Sequence, residues 1–337
     1  MRFVAPVHNA AEVAVLLEAG ADELYCGYQD EAWRGRYGDH DSVSRRQGAA
    51  NVGDEQTFEQ LVAEARRLEA PLYLCVNGRY TEPQLDALER LCDRFEERGG
   101  TGLQVFDVGL LARLDGRTQL RRCLSLLAVA QNVATIAAYR ALGVDRVVFP
   151  RFLGPAQIAE LLAPFPGLEG EFMALFDRCP FIDGYCRFYH GTVYADAAGQ
   201  AQFTPAAKGG MRSGSPMARG SGAGCDLLGA ASPVSPQDQS TGDIYRFDTC
   251  YQTHSCITLL GAPANFFPCA ACALDDFEAA GARYAKLGGR GTPLEHRARG
   301  LRFLRAAQQC ASDRERRELY RSVFDSDCNC YYYGTRA

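Results

Sequence analysis

The chain has 337 residues, 47% of them apolar, enough to bury a sizeable core and to exclude a disordered or fibrous class. A formal net charge of -5 argues against a general nucleic-acid coat, and no run of about 18 apolar residues marks a membrane span. Met1–Pro6 carries no export signal, so the expectation is a cytoplasmic protein whose 14 cysteines stay reduced; they are too few for a disulfide scaffold of this length.

In chain order, Ala10–Ala19 is apolar at helical spacing and stops at Gly20, and Glu23–Gly27 then reads as a short buried strand. The pattern recurs: a helix from Asp54 to Leu68 before a strand at Pro71–Asn77, and a helix from Pro83 to Arg98 before a strand at Gly102–Asp107. Cys123–Val129 and Arg146–Phe149 read as strands around a helix from Asn132 to Leu142, and a helix from Pro155 to Leu162 precedes the strand Glu171–Phe176. Helix and strand alternating through short connections predict a parallel sheet. No glycine-rich phosphate fingerprint follows the first strand, which favours a closed TIM-barrel-like α/β fold over an open doubly wound one.

Beyond Thr204 the composition shifts to Gly, Ser, Ala and Pro as far as Gly242. The expected organisation is therefore the main part of the barrel over 1–203, a flexible insertion or lid over 204–243, the remainder of the barrel over 244–310, and a C-terminal helix and tail over 311–337. Phe277–Leu287 and Leu294–Gln309 look helical, and the arginines of 297–305 and 314–321 read as solvated helix faces.

Cys26, Cys75, Cys92, Cys123 and Cys310 sit inside apolar segments and read as small buried hydrophobes. Cys179, Cys186, Cys256, Cys269 and Cys272 lie in turn-like settings, the last two as a Cys-x-x-Cys pair. Four soft thiolates suit a [4Fe–4S] cluster or a tetrahedral zinc. Because only one short knuckle is present and the other thiols are dispersed, the cluster is favoured and zinc is the alternative.

Four stretches resemble the collagenase-like peptidase family U32. They are Gly20-Ala-Asp-Glu-Leu-Tyr-Cys-Gly27 with Arg46 and Asn51; Leu74-Cys-Val-Asn77 with Gln104-Val-Phe-Asp107; Gln131-Asn132 with Leu142–Phe149; and Glu171, Cys179 and Cys186 in the family's spacing. Cys272-Ala-Leu-Asp275 and Ala280–Arg290 are similar to its late segments. The sequence departs from the pattern where Leu175-Phe176 replaces a His-Gly pair, where Phe152 replaces an acidic residue, and where the third cysteine is displaced, so that Cys225, Cys250 and Cys256 compete for that position.

The better-understood members of that family are iron–sulfur proteins that hydroxylate RNA bases or a ubiquinone precursor without molecular oxygen. The resemblance thus implies an enzyme: a [4Fe–4S]-dependent oxidoreductase or hydroxylase acting on a small aromatic molecule or, less in keeping with the charge, an RNA base. Cys179, Cys186, Cys256 and Cys272 would hold the cluster, with Cys269 competing for the last place. Asn51, Asn77, Gln104, Asp107 and Asn132 would line the barrel mouth. Arg46 and Arg151, with Lys286 and Arg290, would clamp a carboxylate or phosphate such as that of a prephenate-like donor. His190 and His254 are acid–base candidates, although a lone histidine is more often structural. A cluster- or zinc-bearing partner subunit, or a dimer, is the non-catalytic alternative. Proteolysis finds no Gly-x-Ser-x-Gly elbow or His-Glu-x-x-His pair to support it.

Overall fold

The computed structural model describes residues 1–38, 43–45, 50–176, 192–195, 201–204, 268–325, 329–330 and 332. Seven strands run in parallel and in chain order: β1 (Arg2–Pro6), β2 (Glu23–Cys26), β3 (Leu72–Val76), β4 (Gly102–Val105), β5 (Arg121–Leu124), β6 (Arg146–Val148) and β7 (Glu169–Leu175). The antiparallel hairpin of β8 (Thr192–Ala195) and β9 (Ala201–Thr204) and the short β10 (Pro268–Cys269) come next. β11 (Ala282–Leu287) then inserts between β7 and β1, parallel to both, and closes an eight-stranded barrel. The expected TIM-barrel-like fold is the fold observed.

Helices cover the barrel: α1 (Ala10–Glu18), α2 (Glu31–Tyr37), α3 (Glu55–Arg67), α4 (Glu82–Glu97), α5 (Val108–Leu114), α6 (Val133–Ala141), α7 (Pro155–Leu162), α8 (Leu274–Ala279), α9 (Leu294–Gln309) and α10 (Asp313–Phe324). Their starts follow from local chemistry. Asn9, Asp30, Asp54, Asp107, Asn132 and Ser312 each accept a hydrogen bond from a backbone N–H of the first turn, and Thr81 with Gln84 forms a capping box. Covered on one side by helices and on the other by the packed interior, Leu72–Val76 is buried at every position, which explains its continuous apolar run.

The apolar core is split in two. A large group fills the layer between strands and helices, and a smaller one of Val4, Tyr25, Tyr73, Cys75, Cys123, Val148 and Tyr284 fills the barrel. The structure differs from the sequence reading in three ways. Phe277–Leu287 is not one helix: Gly281, at φ 87°, ends α8, and the chain continues as β11. The helix-like spacing of Phe277, Ala280, Tyr284 and Leu287 was a coincidence of a short helix joined to a strand buried on both faces. β5 stops at Leu124, because the Ser125 hydroxyl accepts from Leu127 N and starts a single 3-10 turn over Leu126–Ala128. Finally β1, α2 and α5, too short to show a period, were not read at all.

Candidate active site at the barrel mouth

The floor of the barrel is ionic. Arg146 is fully buried on β6 and donates from Nη1 to Glu23 Oε2 (2.6 Å), from Nη2 to Glu23 Oε1 (3.0 Å), from Nε to Glu169 Oε2 (2.9 Å) and from Nη1 to Glu171 Oε2 (3.3 Å). Its guanidinium carbon lies 3.4 Å from the Tyr284 ring centre and 5.0 Å from that of Tyr73. Lys286 Nζ donates to Glu171 Oε1 at 2.9 Å and sits 4.1 Å above the Tyr25 ring. Burial alone would raise the Glu171 carboxyl, but Lys286 and Arg146 outweigh it and hold the group below its ordinary value. Cys123 Sγ, 3.7 Å from Glu171 Oε2, is driven well up by burial and then by that carboxylate, so it stays a thiol.

Above this floor, the C-terminal ends of the strands build a polar rim, the position at which barrels carry chemistry. Asn77, at the end of β3, accepts from Arg45 N at 3.2 Å and donates to Ser125 Oγ, after β5, at 3.2 Å. Gln104 of β4 accepts from Cys75 Sγ at 3.5 Å. Across the rim, Arg290 Nη1 donates to Ser44 Oγ (3.1 Å), and the Ser44 hydroxyl donates on to Asn51 Oδ1 (2.9 Å). His8, after β1, accepts from Gly291 N at Nε2 (2.8 Å) and faces Glu12, which takes a bidentate ion pair from Arg297 at 2.7 and 2.8 Å. His8, Glu12 and Arg297 line a cleft with Gly291, Thr292, Pro293 and Leu294.

Asn51, Asn77, Gln104, Lys286 and Arg290 therefore share the interior and rim of the barrel, whereas Asp107 and Asn132 spend a side-chain oxygen on helix N-termini, at 2.9 Å to Leu110 N and 2.8 Å to Thr135 N. Arg151 is partly exposed in the turn after β6. Arg46, Cys179, Cys186, Cys225, Cys250, Cys256, His190 and His254, with most of the 204–243 insertion, lie outside the described residues. Cys269 and Cys272 lie inside them and are buried. β10 runs antiparallel to the end of β7 with Cys269 opposite Leu175, Ala270 N donates to Ala174 O at 2.7 Å, and Cys272 follows in a 3-10 turn. β12 (Asn329–Cys330) adds to β10 with Cys330 in register with Cys269. Among the described residues no three His, Cys, Asp or Glu side chains gather as a metal site.

Residues 8–200, more than half of the sequence, match peptidase family U32. The chain belongs to that family. A curated relative, tRNA hydroxylation protein P of Helicobacter pylori (strain ATCC 700392 / 26695), is 24% identical over 187 residues, which are 55% of this chain and 42% of that protein. The chain thus matches less than half the length of this relative. Among solved structures, the U32 peptidase Mk0906 is similar with a TM-score of 0.42 and 11% identity over 52% of this chain and 68% of that one. A 2,3-dimethylmalate lyase follows with a TM-score of 0.35 and 13% identity over 58% of this chain and 71% of that one.

For this U32 chain the sequence reading missed Ser44, Ser125, His8, Glu12 and the Glu23–Arg146 pair. His8 and Glu12 became legible only once β1 was recognised as a strand. Arg297, read as part of a solvated face, is fully buried on Glu12, with Nη1 also donating to Pro6 O at 2.8 Å.

The rim titrates. Burial first, and Arg297 and Arg290 besides, hold the His8 imidazole below 6.5 although Glu12 opposes them; burial would raise Glu12, but His8 and Arg297 bring it down to about 2. Both folded values lie below the unfolded ones, so the unfolded chain binds the extra protons and stability falls as pH falls. The urea midpoint is expected to be level above about pH 7, to drop below about pH 6.5 as the unfolded chain's histidines charge, and to drop again between 4.5 and about 2. His8→Gln should shrink the first drop; an unchanged drop would show that His8 does not cause it.

Proposed function

We propose that the chain is a cluster-dependent oxidoreductase of the U32 type, which hydroxylates an aromatic ring of an RNA base or a small molecule without molecular oxygen, the hydroxyl coming from a prephenate-like donor that leaves with hydrogen in its place. The observation that carries this reading is the seating of Cys269 opposite Leu175, with Cys272 beside it, at the end of the strand from which the sequence runs on to Cys179 and Cys186. Cys179 follows Leu175 by four residues, and four residues of chain reach at most about 14 Å. Soft, buried thiols on β10 and in the turn after it, with Cys179 tethered that closely and Cys186 seven residues further on, suit the donor set of a [4Fe–4S] cluster, with Cys256 as a further ligand; zinc is the alternative occupant. When bound, the cluster supplies one-electron redox chemistry or an open iron for oxygen ligation.

The chain's own residues do the rest. Asn77 and Gln104 present amide groups to a ring lying on the barrel floor, and the packed side chains of Tyr25, Tyr73 and Tyr284 keep water out beneath it. Glu171, held below its ordinary value, accepts from Lys286 Nζ and so positions that side chain under the rim, toward an oxyanion developing on the ring. The tRNA relative favours an RNA base as one substrate class, while a net charge of -5 favours a small molecule. Comparing the modified nucleosides of tRNA and the small aromatic metabolites of cells with and without the gene tests this reading. Loss of one hydroxylated product on deletion, restored by the wild-type chain and not by Cys272→Ser, is expected; unchanged profiles in both pools would contradict it.

A further inference from the structure

The C-terminal tail returns to the end of β7. α10 delivers it there: Phe324, the last residue of the helix, packs edge-on against Phe176, just past β7, with 6.3 Å between ring centres, and Asp325, at φ 49°, ends the helix. Further on, the Tyr332 hydroxyl donates to Met173 O of β7 at 3.1 Å, and its ring lies edge-on to Phe277 and Phe172, 4.6 and 6.3 Å away between centres. The tail is therefore held against β7 at two points, and β12 is the stretch between them.

β12 pairs in parallel with β10, and the register sets Cys330 beside Cys269. Neighbouring strands run about 4.8 Å apart, and residues in register share a face of the sheet, so the backbone alone brings these two cysteine positions together. Cys272 follows Cys269 in the next turn, and Cys179 follows Leu175 by four residues, so both belong to the same end of the barrel. A [4Fe–4S] cluster or a tetrahedral zinc takes four thiolates. With Cys179, Cys186 and one of Cys269 and Cys272 counted, one place is left, the place that Cys225, Cys250 and Cys256 contest in the sequence.

We propose that Cys330 is a thiolate ligand of the metal centre at the end of β7 and takes that place instead of Cys256. Its role rests on the reading of these thiols as a metal centre, and it lies outside residues 8–200, the stretch that matches the family.

The test is iron, zinc and acid-labile sulfide analysis of the full-length protein purified without oxygen, in wild type, Cys330→Ala, Cys328→Ala and Cys256→Ala. Iodoacetamide labelling of the wild type, read by mass spectrometry, accompanies it. Cys330→Ala is expected to fall from about four irons per chain to below about one, while Cys328→Ala, from the same tail, and Cys256→Ala keep their iron. Cys330 of the folded wild type should be labelled about tenfold faster once a chelator has removed the metal, because a bound thiolate is not free to react. Circular dichroism controls for folding, and the labelling needs no variant, so it decides the matter even if Cys330→Ala does not accumulate. Retention of iron in Cys330→Ala with loss in Cys256→Ala, or equal labelling with and without metal, would overturn the proposal while the metal centre stands. A Cys269–Cys330 disulfide, which the same strand spacing allows, would also overturn it. A wild type without metal would overturn both readings, whereas one zinc, lost in Cys330→Ala, would keep Cys330 as a ligand and overturn the cluster.

Discussion

Arg146→Ala is expected to destabilise the fold by about 3–5 kcal/mol, the largest single-residue effect on stability in the chain. Removing this guanidinium leaves Glu23, Glu169 and Glu171 close together at the barrel floor, where it now supplies four hydrogen bonds and stacks on Tyr284. Glu171 has no exposed surface, so water cannot replace what is lost. Urea unfolding followed by circular dichroism measures the effect, and a loss under about 1 kcal/mol would show that the network is not needed for stability. Lys286→Met serves as the milder companion, because Glu171 keeps Arg146 and the Cys123 thiol as partners. It should fold, with a smaller loss, even if Arg146→Ala does not accumulate.

The second large effect concerns iron. Cys272→Ser and Cys269→Ser are expected to lose most of the bound iron, from about four per chain to below about one, whereas Cys26→Ser and Cys92→Ser retain it. The contrast follows from place along the barrel, since Cys269 packs in the same strand–helix layer as Cys26 and Cys92. Cys26 and Cys92 lie on β2 and α4, away from β7, and burial pushes the Cys26 thiol up, away from the thiolate a metal needs. Cys269 lies opposite Leu175 at the end of β7, and Cys272 follows it in the next turn. Equal iron in all four variants, measured with colorimetric iron and sulfide assays on anaerobic protein, would sink the assignment of β10 as part of the metal centre.

The barrel was legible because its strands are buried on both faces and its helices carry capping residues at their starts. Leu72–Val76 and Arg146–Val148 read as strands from apolar runs alone, and Asp54 and Asn132 marked helix starts. β11 was not legible, since Tyr284 and Lys286 face an interior that accepts aromatic and charged groups, so it lacks the apolar run that marks other strands. The same cause hid the barrel floor. Glu23 and Arg146 are 123 residues apart, and nothing in a local pattern announces that two polar residues meet across a barrel.

At the rim, Asn51, Asn77 and Gln104 were named because polar residues at strand ends are what a barrel mouth requires. The same rule picked Asp107 and Asn132, whose oxygens cap α5 and α6. Residue type and strand-end position do not separate an N-cap from a rim residue, because Asn and Asp suit both.

The account rests on the thiols at the end of β7 holding an iron–sulfur centre, and the most direct measurement is the iron and acid-labile sulfide content of the wild-type protein purified without oxygen. About four irons and four sulfides per chain, with a broad absorption band near ~400 nm, is the predicted result. A colourless protein carrying one zinc, or no metal, would contradict it and leave the barrel with its polar rim and its ionic floor to be explained by other chemistry.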